Sequence, residues 1–127
     1  MANAERLTQL MTELNTTREN EQRVPLLTEL LLEEGHDRHE DLVFELGLIG
    51  DPRAVPSISK AIKIHFPELA EWNNLHEFQR KCAYALARIG TDTSRDALKE
   101  IATSDDPFLR ECGLEGLEHW PMPYQRR

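Results

Sequence analysis

Apolar residues recur along this chain at helical spacing. Leu7, Leu10, Met11 and Leu14 lie three or four positions apart, as do Val24, Leu27, Leu30 and Leu31, and then Val43, Leu46 and Ile49. Each set falls on one stripe of an amphipathic helix, with polar residues on the opposite side. The same punctuation then returns at fixed offsets. Leu46-Gly47-Leu48-Ile49-Gly50 and Leu86-Ala87-Arg88-Ile89-Gly90 share L-x-x-I-G forty positions apart, each ending on a glycine where a helix C-terminus accepts a left-handed residue. Val24-Pro25 and Val55-Pro56 match at an offset of 31, as do Phe78-Gln79-Arg80 and Leu109-Arg110-Glu111.

These registers predict helices near 3–15, 20–34, 37–49, 53–65, 75–89, 93–103 and 107–119. That makes three helical pairs and a terminal helix. Proline is expected only in a first turn, so the helices holding Pro25 and Pro56 should begin just upstream of them. Gly50-Asp51-Pro52 reads as a C-terminal glycine, a capping aspartate and a first-turn proline, and Asp106-Pro107 repeats the second half of that device. The 40-residue offset exceeds 31 by nine, which places an insertion in His65–Asn74, where Pro67 should stop the preceding helix and Leu69 and Trp72 form a short turn. The segments Ile49–Ile62 (IGDPRAVPSISKAI) and Lys81–Gly90 (KCAYALARIG) resemble HEAT-like repeats of the phycobilin-lyase type, over about residues 20–119. The resemblance implies an all-α, right-handed α-solenoid, one domain over residues 1–120 with a tail at 121–127. It leaves activity open, since such repeats serve as scaffolds, inhibitors, bilin lyase subunits and one class of di-iron hydroxylase.

Composition narrows the choice. The net charge is −8, and residues 1–50 hold four arginines against eleven acidic residues, so −7 of it sits in that part. Such a field opposes nucleic-acid binding and would steer a basic protein partner. No run approaches the roughly 18–20 apolar residues of a membrane span, and Glu5 and Arg6 interrupt any secretory segment, so a cytoplasmic location is expected. Cys82 and Cys112, thirty residues apart beside Ala83 and Gly113, read as reduced core fillers.

The candidate chemistry is thin. His39-Glu40 resembles the His-Glu pairs of the di-iron enzymes, but the companion positions read Phe78-Gln79-Arg80-Lys81 and Leu109-Arg110-Glu111-Cys112, and His76-Glu77 falls off the matching face. His36, His39 and Glu40 have spacing for a weak zinc or nickel site, yet His36, Asp37, Glu40 and Asp41 are expected as solvated polarity around a helix start. No cofactor, metal or catalytic residue is assigned.

Second helices should line the concave side, stacking Glu29, Lys60 and Glu100 in one polar row and Thr28, Ser59 and Lys99 in the next. Glu33 and Glu34 make that groove acidic at one end, and the insertion, with Phe66 and Trp72 as anchors, closes it. The expectation is therefore a non-enzymatic module that binds another protein, monomeric or weakly dimeric through its end helices. A small immunity or antitoxin protein is the first alternative and a metal-dependent or lyase-type enzyme subunit the second. The stretch His119-Trp120-Pro121-Met122-Pro123-Tyr124 reads as unable to continue a helix and is expected to cover the exposed end of the last repeat.

Overall fold

The computed structural model describes residues 2–122. Its elements are α1 (Ala2–Thr16), α2 (Asn20–Leu31), α3 (His39–Ile49), a 3-10 turn at Pro52–Ala54 running into α4 (Val55–Ala61), α5 (Pro67–Glu71), α6 (Leu75–Ile89), α7 (Asp92–Ile101) and α8 (Pro107–His119). No strand occurs among the described residues, and no helix is long and apolar enough to cross a membrane. Pro123 and Tyr124 of the predicted tail lie outside the described residues.

The helices stack in two layers. First helices form one row, with α3 against α6 and α6 against α8, and second helices form the other, with α2 against α4 and α4 against α7. The α1 helix packs on α2 through Leu7, Leu10 and Leu14. Between the rows runs one apolar core built from Val24, Leu27, Leu30, Leu46, Ile58, Leu86 and Leu98, all almost without solvent contact. Small residues set the closest approaches. A Cβ on Gly47 would stand 3.1 Å from the Ala85 Cα, and one on Gly113 would stand 2.4 Å from the Ala102 backbone nitrogen.

The two rows end their helices differently. First helices α3 and α6 close on Gly50 and Gly90 in the left-handed conformation, φ 74° and 68°, as the repeated L-x-x-I-G predicts. Second helices have no such glycine; N–H groups of the turns that follow bond most of their last carbonyls, and a side chain from the next first helix binds a carbonyl of each turn. His39 Nε2 donates to the Glu33 carbonyl at 2.8 Å, Gln79 Nε2 to the Ile62 carbonyl at 3.1 Å, and Arg110 Nε to the Ser104 carbonyl at 3.1 Å. His39, Gln79 and Arg110 are forty and then thirty-one positions apart, so they occupy one equivalent place in the repeat.

Three expectations need correction. Pro25 sits sixth in α2, beyond the first turn; it lacks the N–H that would bond the Glu21 carbonyl, and Arg53 Nη2 fills that acceptor at 3.1 Å. The second helices stop earlier than predicted, at Leu31 and Ala61, where the chain tightens into turns whose N–H groups bond carbonyls three residues back, and the histidine and glutamine bind carbonyls of those turns. His119 is still helical, the last residue of α8, and Trp120–Met122 turns back onto the α6–α7 turn: Trp120 Nε1 donates to the Thr91 carbonyl at 3.1 Å and Met122 N–H to the Ala87 carbonyl at 2.9 Å. Arg95 lies 4.8 Å over the Trp120 ring.

Gly113 and Gly50 separate steric from conformational cost. Gly113→Ala drives a methyl into the α7 backbone and should cost about 3 kcal/mol or more. Gly50→Ala meets no atom within 4 Å and should cost only the left-handed penalty, about 1 kcal/mol. Urea midpoints measure both; equal losses would refute the α7–α8 approach as drawn.

Candidate interaction surfaces

His36 and His39, weighed above as metal ligands and His36 also as a solvated residue, are neither at the surface nor turned toward a common point. Their rings stack at 4.1 Å, His39 stacks on Phe66 at 3.9 Å, and Phe78 meets both His39 and Phe66 edge-on. The solvated reading holds for the exposed Asp37 and Asp41 but fails for His36, which is buried; α3 begins at His39, which points inward at 0% exposure. The Arg38 N–H donates to His36 Nδ1, so the His36 proton sits on Nε2, which donates to the Leu30 carbonyl at 2.8 Å. His39 likewise spends its Nε2–H on Glu33, leaving a buried Nδ1 without a partner. Glu40 turns away to Lys81, 3.6 Å distant. Among the described residues no group of three His, Cys, Asp or Glu side chains is spaced to hold a metal ion.

Phe66 also departs from its expected place. Named as a groove anchor, it is fully buried under the histidines, because the turn into α5 directs it into the core together with Leu69. The insertion is thus an anchored helix, tied further by Glu68, which accepts the Gly35 N–H at 2.9 Å. Trp72, at the C-terminus of α5 before left-handed Asn73, remains 72% exposed.

The polar row lies on α2, α4 and α7 with Lys60, Lys99 and Glu100 exposed. Its acidic end is partly neutralised, since Arg6 of α1 pairs with both Glu29 and Glu33, while Glu34 stays exposed. Lys63, in the turn after α4, rather than Lys60, reaches Glu100, at 3.3 Å. A shallow cleft of about 290 Å³ opens there between the ends of α4 and α7.

A second cleft, of about 190 Å³, opens in the other layer, between α3 and α6. Phe44, Gly47, Lys81, Tyr84, Ala85 and Arg88 line it, and Phe44 is 52% exposed on its lip. Position 44 belongs to the outward stripe of α3, so sequence spacing could have flagged a large aromatic on a polar face.

Residues 78–104 match the family model of the PBS lyase HEAT-like repeat. This stretch is similar to a HEAT-like repeat. It takes in most of α6 and all of α7, together with the Gly90 turn between them. No curated protein and no solved structure matches the chain.

The HEAT-like stretch also holds Cys82, whose thiol burial pushes well above the ordinary cysteine value; Cys112 on α8 is raised to about 11, chiefly by burial. Neither is poised as a nucleophile. In native protein both should fail to react with Ellman's reagent at pH 8, and both should react in denaturant; a rapid native reaction would contradict their burial.

Burial, with His36 alongside, holds His39 down to about 4, while the Glu33 carbonyl and Glu68 pull weakly upward. The unfolded chain titrates near 6.5, so it takes up the proton first as pH falls. Stability is therefore complete above about pH 6.5 and declines toward pH 4, by up to about 3 kcal/mol from this group. His39→Gln installs the residue that caps at position 79 and should flatten that decline. Urea titrations from pH 7 to 4 that run parallel for both proteins would overturn the assignment.

Proposed function

We propose that this chain is a non-enzymatic interaction module, a right-handed superhelical stack of HEAT-like pairs that binds another protein. One observation carries the reading: the insertion fixes Phe66 and Leu69 in the core and thereby holds Trp72 outside on an ordered helix. A large aromatic side chain presented on a rigid support loses little freedom on docking, the property of an interface anchor. The exposed charges of α2, α4 and α7 supply a polar surface suited to selecting register more than affinity. Glu34 and its acidic neighbours favour a partner with basic groups, though Arg6 moderates Glu29 and Glu33. The lyase in the matched repeat's name supplies no chemistry of its own to this reading, since the match spans one structural helical pair.

Trp72→Ser tests the reading. Tagged wild-type protein expressed in its native cell should co-purify a stoichiometric protein partner, and the variant should lose about tenfold or more of it while its melting temperature stays unchanged. Equal recovery by both proteins would sink the role given to Trp72.

A further inference from the structure

The α3–α6 cleft contrasts with the rest of the molecule. In a chain of net charge −8, no acidic residue lines it, and two cations do. Lys81 and Arg88 are seven residues apart on α6, about 10 Å of helical rise. Between them lie Tyr84 and Ala85, with Phe44 facing from α3.

Gly47 lets the helices meet so closely that the larger residues stand up around a gap. The Arg88 stem lies over this contact, its Cδ 3.4 Å from where a Gly47 Cβ would be, and its guanidinium makes no ion pair among the described residues. Lys81 is held only by Glu40 at 3.6 Å. An apolar floor between separated cations is complementary to a bulky apolar side chain with carboxylates on either side.

We propose that the α3–α6 cleft docks a segment of a partner protein in which a large apolar residue is flanked by acidic residues. Its side chain enters between Phe44 and Tyr84 over Ala85, and its carboxylates meet Lys81 and Arg88. This deepens the reading of the chain as a binding module, and it uses a different surface from Trp72, so the two can fail separately.

The test uses the full chain and a blocked, fluorescein-labelled peptide with one Phe between paired Glu residues, against the same peptide with Lys in place of Glu. Fluorescence anisotropy should show saturable binding of the acidic peptide, at least about tenfold tighter than the basic one and weakening as salt rises. Arg88→Glu and Phe44→Ala should each lower that affinity about tenfold or more, with unchanged circular dichroism, whereas Trp72→Ser should leave it intact. Amide chemical shifts on titration should move at Gly47, Tyr84 and Ala85. Equal binding of the two peptides, indifference to Arg88→Glu, shifts centred elsewhere, or occupation of the cleft by a second copy of this chain would each overturn the assignment. Loss of peptide binding with Trp72-dependent partner recovery preserved would refute this cleft alone.

Discussion

The stack depends on how the second helices end. A helix leaves its last carbonyls without intrahelical donors, and where such an end is buried each unmet acceptor costs about 1–3 kcal/mol. Here turn N–H groups bond most of the last carbonyls of α2, α4 and α7, and His39, Gln79 and Arg110 reach back from the next first helix to the carbonyls of those turns, at Glu33, Ile62 and Ser104. One equivalent position thus serves every described junction from a second helix to a first one. The donor changes with its surroundings. His39 and Gln79 are buried and cap as neutral groups, while Arg110 caps from the exposed end with a charge that solvent can still hydrate. The same rule explains the unusual state of His39: its Nε2–H is committed to a carbonyl, so a second proton would have to go on a buried Nδ1 that faces no acceptor.

A related economy governs the charges. Arg23 donates to the Leu14 and Thr17 carbonyls and also grips both Glu45 oxygens, at 2.7 and 3.0 Å, so one guanidinium joins α1, α2 and α3. Arg53 binds Asp51 while filling the acceptor that Pro25 abandons. Of the eleven acidic residues among the first fifty, Glu29, Glu33, Glu40 and Glu45 are held in ion pairs. What reaches solvent is patchier than a count of charges implies, and that weakens any argument from net charge to partner. The α3–α6 cleft shows this most clearly, because Lys81 and Arg88 line it with no acidic residue among its walls, and Glu40 and Glu115 meet Lys81 and Tyr84 from its edge.

The helical architecture was legible because its signals are local. L-x-x-I-G marks helix ends through the conformation of a single glycine, Asp106 marks a start by accepting the Phe108 and Leu109 N–H groups, and apolar spacing marks the inward face. The ends of α2 and α4 were not, since the side chains that bind the turns after them come from other helices. His39 looked like a ligand for the same reason: its partner carbonyl lies six positions back, in a turn whose path the sequence does not state. The alignment of His, Gln and Arg at 39, 79 and 110 was a usable signal, because the side chains share only the ability to donate a hydrogen bond. Phe66 misled through its setting. A polar insertion suggested a loop, but a loop carrying two apolar residues at Phe66 and Leu69 has the means to bury both.

The insertion itself follows from the capping scheme. The turn after α4 is bound by Gln79, seventeen residues beyond the Ile62 carbonyl and on the far side of α5. The seal between α4 and α6 is consequently made by the two stacked elements themselves, and the segment between them can lengthen without opening a buried backbone end. Loop length adds only slowly to the entropy of closure, and α5 recovers stability by placing Phe66 and Leu69 in the core. With both requirements met from within, Trp72 has no packing duty to the stack, and its exposure leaves it available for contact with another molecule.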